Sequence, residues 1–166
     1  MTDALLSFAR LQGDRSAAEP VDLCALIQQE AQALASYAQS RKITIKLDLP
    51  DAAHTVRGVR HALALMVRNV LHNAIKFSQS DTTVTVALKA EDDNIRISIT
   101  DTGPGITKQH LPHVFERFYR LDKSQSGAGL GLSIVKWVAD THKAQIDLSP
   151  SINDQGLCFQ IKFNLK

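Results

Sequence analysis

The chain has 166 residues and a mass of 18.2 kDa, and 44% of its residues are hydrophobic and 22% are charged. These values are typical of one globular domain with a short appendage, and they exclude collagen-like, disordered and mini-protein classes. The net charge is +2, and the opposite charges are interspersed, so neither a nucleic-acid partner nor an anionic membrane is favoured.

The cysteines and the N-terminus predict a domain of the cytosol. Cys24 and Cys158 have no second Cys or His at ligand spacing, so we expect two free packing residues in a reducing compartment. No stretch approaches the ~20 apolar residues of a membrane span, and Met1 to Arg10 lacks the basic region and apolar core of a signal peptide. This prediction leaves open a membrane-bound parent protein.

The first part of the chain predicts a linker, two helices and a strand. Leu5, Leu6 and Leu11 indicate the tail of a longer helix, and small, polar and breaker residues predict a linker over Gly13 to Pro20. In chain order, apolar spacing then predicts a helix from the N-cap Asp22 to Ala38, a strand over Ile43 to Leu49 and a helix over Val59 to Ile75. We therefore expect residues 1–20 to be an appendage and residues 21–166 to be the domain.

The second part predicts four strands, one helix and a long irregular segment. The predicted order is a hairpin of strands Val84 to Leu88 and Ile95 to Ile99, a helix over Ile134 to Ala139, and closing strands Ile146 to Leu148 and Leu157 to Leu165. Alternation with one polar face predicts a mixed, mostly antiparallel sheet of about five strands covered by three helices, an α/β two-layer sandwich. Residues 104–131 show little periodicity, which is typical of a lid or binding loop.

Three polar clusters could carry chemistry. Asn69, Asn73 and Lys76 share one stripe of the second helix, where amide oxygens suit a hard cation and the ammonium suits phosphate; the alternative is a solvated helix flank. Asp101 to Ile106 follows a strand, and its Asp could accept from an exocyclic amine, or the segment could be a tight turn. Gly127 to Leu132 precedes a helix and could hold polyphosphate through backbone N–H groups, or be a flexible linker.

Four segments in this order resemble the motifs of one family. Asn69 to Ser78 resembles its N box, Asp101 to Ile106 its first glycine box, Phe115 to Arg120 its F box, and Gly127 to Leu132 its second glycine box. The chain from Val21 to Lys166 thus resembles the catalytic ATP-binding domain of bacterial two-component sensor histidine kinases, in the Bergerat-fold superfamily with gyrase B, Hsp90 and MutL. The segment before it is similar to the end of the dimerisation helix that precedes such domains.

The resemblance implies a role for each matching residue. Asn73 would coordinate Mg²⁺ on the ATP phosphates, Asn69 would line the same site, Lys76 would contact phosphate, and Phe77 would pack near adenine where many relatives have Tyr. Asp101 would accept from the adenine amine. The pocket and lid would be formed by the remaining matching positions, namely Gly103, Gly105, Ile106, Gly127, Ala128, Gly129, Leu130, Gly131 and Leu132. Phe115 and Phe118 would anchor the base of the lid, and Arg117, Arg120 and Lys123 are candidate lid charges.

Two features depart from the family pattern. Ala128 stands where many relatives have Thr or Ser, which removes one hydroxyl that could meet a phosphate. No segment resembles His-Glu-Leu-Arg-Thr-Pro, so the sequence carries no recognisable phosphoacceptor. The remaining histidines are expected to be surface or loop residues that form no zinc site, namely His54, His61, His110, His113 and His142, and His72 is expected to be exposed.

The resemblance implies a kinase domain that binds Mg-ATP and phosphorylates a His on a separate helical hairpin of its parent, for relay to a response-regulator Asp. One alternative is an ATPase clamp like gyrase B, but its relatives place a Glu at the position of Asn69, and Asn cannot act as that base. The other is a degenerate module that binds a partner and no nucleotide. We expect a monomeric cytoplasmic domain whose parent is a homodimer anchored in the bacterial inner membrane.

Overall fold

The computed structural model describes residues 17–121, 128–150 and 155–165, which form seven strands and three helices. The strands are β1 (Glu19–Asp22), β2 (Ile43–Asp48), β3 (Thr55–Gly58), β4 (Thr82–Glu91), β5 (Asn94–Thr100), β6 (Gln145–Pro150) and β7 (Leu157–Asn164). The helices are α1 (Leu23–Ser40), α2 (Arg60–Phe77) and α3 (Gly131–Thr141). No helix in these ranges is long and apolar enough to cross a membrane.

Five strands form one mixed sheet in the order β2-β4-β5-β7-β6. Only the β2–β4 pair is parallel, and the three other pairs are antiparallel. Alternate residues of β5 are buried, which leaves one apolar face for the helices. The predicted α/β sandwich of about five mostly antiparallel strands under three helices is confirmed.

The core lies between this sheet and the helices. Leu63, Leu71, Ile97 and Ile161 are fully buried, and each such side chain contributes about 1.5–3 kcal/mol to folding. The start of α1 is fixed by Asp22, whose carboxylate accepts a 2.9 Å hydrogen bond from the N–H of Cys24, as expected of an N-cap. The helical layer carries the first polar cluster, on α2.

A small second sheet was not predicted from the sequence. In this sheet β1 pairs with β3 in antiparallel register, so Glu19 and Pro20, which were expected in the linker, lie in a strand. Four-residue strands are too short to show a clear alternation, and Pro20 disfavours a strand reading. The predicted helical tail at Leu5 to Leu11 lies outside the described residues.

One histidine departs from the expectation of a surface or loop residue. His142 is not a loose surface residue, because its Nδ1 lies 2.8 Å from the Val138 carbonyl oxygen and its Nε2 accepts a 3.0 Å hydrogen bond from the N–H of Val59. It thereby joins the end of α3 to the beginning of α2. His72 is exposed and stacks on Tyr37 with ring centres 4.8 Å apart. Cys24 and Cys158 are both free thiols.

Candidate nucleotide site

A cavity of about 220 Å³ lies where α2, β5, β7 and the beginning of α3 meet. Most of its wall is apolar, and Asp101 is the one ionisable side chain among the described residues that line it. The lining residues are Val70, Asn73, Ala74, Phe77, Ile99, Asp101, Pro104, Gly105, Ile106, Leu121, Leu132, Leu157 and Phe159. Three of the predicted clusters therefore meet at one cavity, because α2, the loop after β5 and the beginning of α3 each contribute.

A second, larger space lies elsewhere. It is an open groove of about 870 Å³ between α1 and β2, and its walls include Ala31, Ala38 and Ile43. None of the predicted site residues lines it. The smaller cavity is therefore the candidate functional site.

Asp101 follows β5 directly and is only 8% exposed. Its Oδ1 accepts hydrogen bonds from the backbone N–H groups of Gly103, at 2.8 Å, and Leu157, at 3.1 Å. Burial raises the pKa of this carboxyl, and the two backbone donors act against that rise because they stabilise the charged form. Both bonds use Oδ1, so Oδ2 is the oxygen that can accept from a ligand.

The glycines around Asp101 permit close backbone contacts. A Cβ at residue 103 would lie 2.7 Å from the carbonyl oxygen of Phe77, and a Cβ at residue 105 would lie 3.2 Å from that of Gly156. Gly156 has a φ of 98°, in the left-handed region that side chains disfavour, and a Cβ there would overlap the carbonyl oxygen of Asp101. The loop after β5 and the turn before β7 are thus packed backbone to backbone.

The two asparagines of α2 face the beginning of α3. The Nδ2 of Asn69 donates a 2.8 Å hydrogen bond to the carbonyl oxygen of Leu65, one turn earlier. The Oδ1 of Asn69 is directed at Gly131, where a Cβ would lie 3.0 Å from it, and a Cβ there would lie 3.8 Å from the Nδ2 of Asn73. Carboxamide oxygens are hard ligands, so these two asparagine side chains fit Mg²⁺.

Of the neighbouring residues Lys76 and Phe77, only Phe77 lines the cavity. The Nζ of Lys76 lies 5.0 Å from the centre of the Phe77 ring, a cation–π distance. The Phe77 ring is 36% exposed and forms part of the cavity wall. The aromatic face thus borders the cavity with a positive charge held above it.

The segment from Asp101 to Leu130 contains turns and bends in its described residues, and no helix or strand there. Phe115 is partly buried and packs edge-on against Phe159 with ring centres 6.4 Å apart, as expected of an anchor. Phe118 does not anchor this segment with its side chain, which is 65% exposed. Its backbone makes the contact instead, because its N–H donates to Gly129 at 2.8 Å and its positive φ of 66° turns the ring outwards.

The second glycine box is described only in part. Gly127 and Lys123 lie outside the described residues. Ala128 packs against the core, Leu130 is buried at 5% exposure, and Leu132 lines the cavity. Arg120 is partly buried and does not line the cavity. The structure thus brings Leu132 to the cavity and Gly131 to Asn69, while Arg117 and Arg120 are not among the described residues that line the cavity.

Sequence reasoning missed one contact at the site and one ion pair between α1 and α2. Leu157 donates to Asp101 from 56 residues away, and the only local signal was the isolated Gly156 before a strand. Glu30 of α1 is buried at 2% exposure and accepts a 2.6 Å hydrogen bond from the Nε of Arg68, next to Asn69. An acidic residue within the apolar spacing of α1 was the signal for that pair.

The fold is the α/β sandwich of histidine kinase catalytic domains. Residues 58–166 match the family described as histidine kinase-, DNA gyrase B-, and HSP90-like ATPase, and the chain belongs to that family. Its relatives place it with the catalytic ATP-binding domains of sensor histidine kinases.

Two curated relatives illustrate the sequence similarity. The chain is 35% identical over 154 residues to the sensor-like histidine kinase SenX3 of Mycolicibacterium smegmatis, which is 89% of this chain and 40% of the relative. It is 33% identical over 168 residues to the phosphate regulon sensor protein PhoR of Pseudomonas aeruginosa, which is 96% of this chain and 37% of the relative. The chain thus spans less than half the length of these relatives.

Two solved structures share the fold. The mycobacterial sensor histidine kinase MprB superposes with a TM-score of 0.79 at 32% identity, over 89% of this chain and 97% of the solved chain. Full-length ShkA in complex with AMPPNP superposes with a TM-score of 0.82 at 28% identity, over 97% of this chain and 34% of the solved chain.

Proposed function

We propose that this domain binds Mg-ATP in the cavity beside α2 and transfers the γ-phosphoryl group to a His on a separate helical hairpin of its parent protein. The observation that carries the proposal is the position of Asp101, a buried carboxylate in an apolar cavity whose wall also contains Asn73. A site built for hydrogen bonding to one polar group discriminates strongly against ligands that lack it. The family membership of the chain supports the same reading.

The adenine ring would occupy the apolar part of the cavity. Oδ2 of Asp101 would accept from its exocyclic amine, while Ile99 and Phe159 form the apolar wall beside it. Phe77 would cover one edge of the base at the mouth of the cavity. Burial of a flat aromatic ligand against such a wall gives affinity, and the single carboxylate gives orientation.

The triphosphate would extend from the cavity towards Asn69, Lys76 and Gly131. The backbone N–H groups at the beginning of α3 would meet phosphate oxygens, because the first N–H groups of a helix have no partner within the helix. Asn73 would hold Mg²⁺ with Asn69 beside it, and the cation would supply neutralisation of the phosphate charge. Phosphoryl transfer requires mainly positioning and charge stabilisation, and these residues would supply both.

The amide of Asn69 favours a kinase over an ATP-hydrolysing clamp. A carboxamide cannot take a proton from water, so this chain has no general base at that position of α2. The phosphoacceptor hairpin, a response-regulator receiver domain and dimerisation of the parent would complete the relay. We place the domain in the cytoplasm, with the parent anchored in the bacterial inner membrane, and expect the isolated chain to be monomeric.

A complementation experiment tests the transfer step. The full-length parent carrying Asn73→Ala supplies the acceptor His but no working ATP site, and the present chain is added with radiolabelled ATP. We expect acid-labile, alkali-stable phosphate on the parent, and none when the added chain also carries Asn73→Ala. Label that is equal with both added chains would contradict the role of Asn73, and no label with a chain that binds Mg-ADP would contradict the kinase proposal.

A further inference from the structure

We propose that the backbone amide of Leu157, presented by Gly156, is a positioning group that sets the Asp101 carboxylate for adenine, so that the turn before β7 is part of base recognition. This inference rests on the adenine contact proposed above for Asp101. It assigns a role to two residues that lie outside the four sequence motifs.

Leu157 and Asp101 are joined by a reciprocal pair of hydrogen bonds. The N–H of Leu157 donates to Oδ1 of Asp101 at 3.1 Å, and the N–H of Asp101 donates to the carbonyl oxygen of Leu157 at 2.9 Å. The N–H of Gly103 is a second donor to the same Oδ1, at 2.8 Å. Two donors on one oxygen fix the carboxylate plane, and this leaves Oδ2 in a defined direction.

Gly156 makes this approach possible. Its φ of 98° is accessible to glycine and disfavoured for other residues. A Cβ at this position would overlap the carbonyl oxygen of Asp101 and lie 3.0 Å from the Cα of Thr102. Any side chain here would push the turn away from Asp101 and lengthen the bond from Leu157.

The Leu157 amide also acts on the charge of Asp101. Burial is the largest influence on this carboxyl and raises its pKa, whereas the amides of Gly103 and Leu157 lower it. No other ionisable side chain lines the cavity among the described residues, so these two amides are the polar groups that keep the carboxylate in its accepting form. Removing one of them disfavours the ionised state that the adenine amine needs.

Two substitutions at residue 157 separate the amide from the side chain. Leu157→Pro removes the N–H donor at the first residue of β7, a strand position that tolerates proline. Leu157→Ala keeps the N–H and removes the side chain that lines the cavity, so it is the matched control. Calorimetric titration with Mg-ADP between pH 5 and 8 is the measurement.

We expect Leu157→Pro to weaken Mg-ADP binding at pH 7 by about tenfold, because a misplaced Asp101 carboxylate loses about one charge-assisted hydrogen bond to the adenine amine. We also expect the pH at which affinity falls to move upwards, because the carboxylate has lost a donor. Leu157→Ala should change the affinity through packing alone, and the pH at which affinity falls should stay the same. Equal pH profiles for the two variants would overturn the inference.

The unsubstituted protein provides a second measurement that does not depend on whether Leu157→Pro folds. The ¹⁵N shift of the Leu157 amide should change with pH in step with the Asp101 carboxyl ¹³C shift. A Leu157 amide shift that stays flat while Asp101 titrates would overturn the inference. Failure of the proposed function is distinct, because then neither the unsubstituted protein nor any variant binds Mg-ADP.

Discussion

Asn69 and Gly131 form the contact between the helix that carries the amides and the helix that follows the second glycine box. The Oδ1 of Asn69 is so close to Gly131 that a Cβ there would lie 3.0 Å from it. Because the Asn69 Nδ2 is bonded to Leu65, its oxygen is held towards this contact. The absence of a side chain at residue 131 thus lets Asn69 lie against the beginning of α3, where we propose that the phosphates bind.

Gly131→Ala should therefore weaken binding of Mg-ATP by about tenfold, the equivalent of one charge-assisted hydrogen bond, and leave adenosine binding unchanged. The fold should be retained, because the atom nearest to the added Cβ is the end of the Asn69 side chain and not backbone. Calorimetric titrations of both proteins with Mg-ATP and with adenosine measure the ratio of the two affinities. An unchanged ratio of the two affinities would show that residue 131 does not border the phosphates.

Asp101→Asn should abolish the preference for a 6-amino purine. An asparagine oxygen at Oδ1 can still accept from Gly103 and Leu157, but its amide nitrogen then replaces Oδ2 and donates where the carboxylate accepts. The unsubstituted domain should bind Mg-ADP at least tenfold more tightly than Mg-IDP, whose base carries a 6-oxo group. The variant should bind the two with similar affinity, and a retained preference for Mg-ADP would remove Asp101 from base recognition.

Ionisation of Asp101 should lower the free energy of unfolding of the unliganded protein. Its folded pKa is raised by burial, so the folded state binds the proton more tightly than the unfolded state. The tighter proton binding stabilises the folded state fully when the pH is below the pKa of the unfolded state, about 3.9. This stabilisation is lost as the pH rises through the pKa of the folded state. The free energy of unfolding relative to Asp101→Asn should therefore fall across this range and then level off.

Urea unfolding at a series of pH values measures this difference for the unliganded protein. Asp48→Asn, at an exposed residue outside the cavity, is the matched control for loss of one carboxyl. If the free energy of unfolding of the unsubstituted protein, relative to that of Asp101→Asn, rises with pH, burial does not raise the pKa of Asp101.

The pair between Glu30 and Arg68 should be asymmetric in its effect on stability. The Glu30 side chain is 3% exposed and that of Arg68 is 52% exposed. Arg68→Ala leaves a buried carboxylate without its partner and should cost about 3 kcal/mol. Glu30→Gln leaves an arginine that can turn to water and should cost about 1 kcal/mol. Chemical unfolding of both variants measures the loss in the free energy of unfolding. A larger loss for Glu30→Gln than for Arg68→Ala would contradict the prediction.

Periodicity in the sequence predicts the helices and the main sheet because each has one buried face. The spacing over Val59 to Ile75 places α2 within two residues of its observed ends, and alternation places β4 and β5. The pair of β1 and β3 could not be predicted, because four residues give too few positions for a pattern. The layer that carries the site could thus be inferred, but its small flanking sheet could not.

Several side chains that line the candidate cavity could also be predicted. Asn73, Asp101 and Leu132 all line the cavity, as the resemblance implies. Backbone contributions could not be predicted, since the amide of Leu157 reaches Asp101 across 56 positions and nothing in its side chain indicates that bond. The exposure of Phe118 was missed for a related reason, because it follows from a positive φ that the sequence does not reveal.

The central claim, that this cavity binds Mg-ATP through Asp101, is tested most directly by thermal unfolding with and without Mg-ADP. At a ligand concentration 100 times the dissociation constant, binding adds about 2.7 kcal/mol, which raises the midpoint by roughly 5–10 °C for a domain of this size. We predict that rise for the unsubstituted protein and its loss in Asp101→Asn. A folded protein whose midpoint does not move, and which gives no heat on titration with Mg-ADP, would contradict the claim.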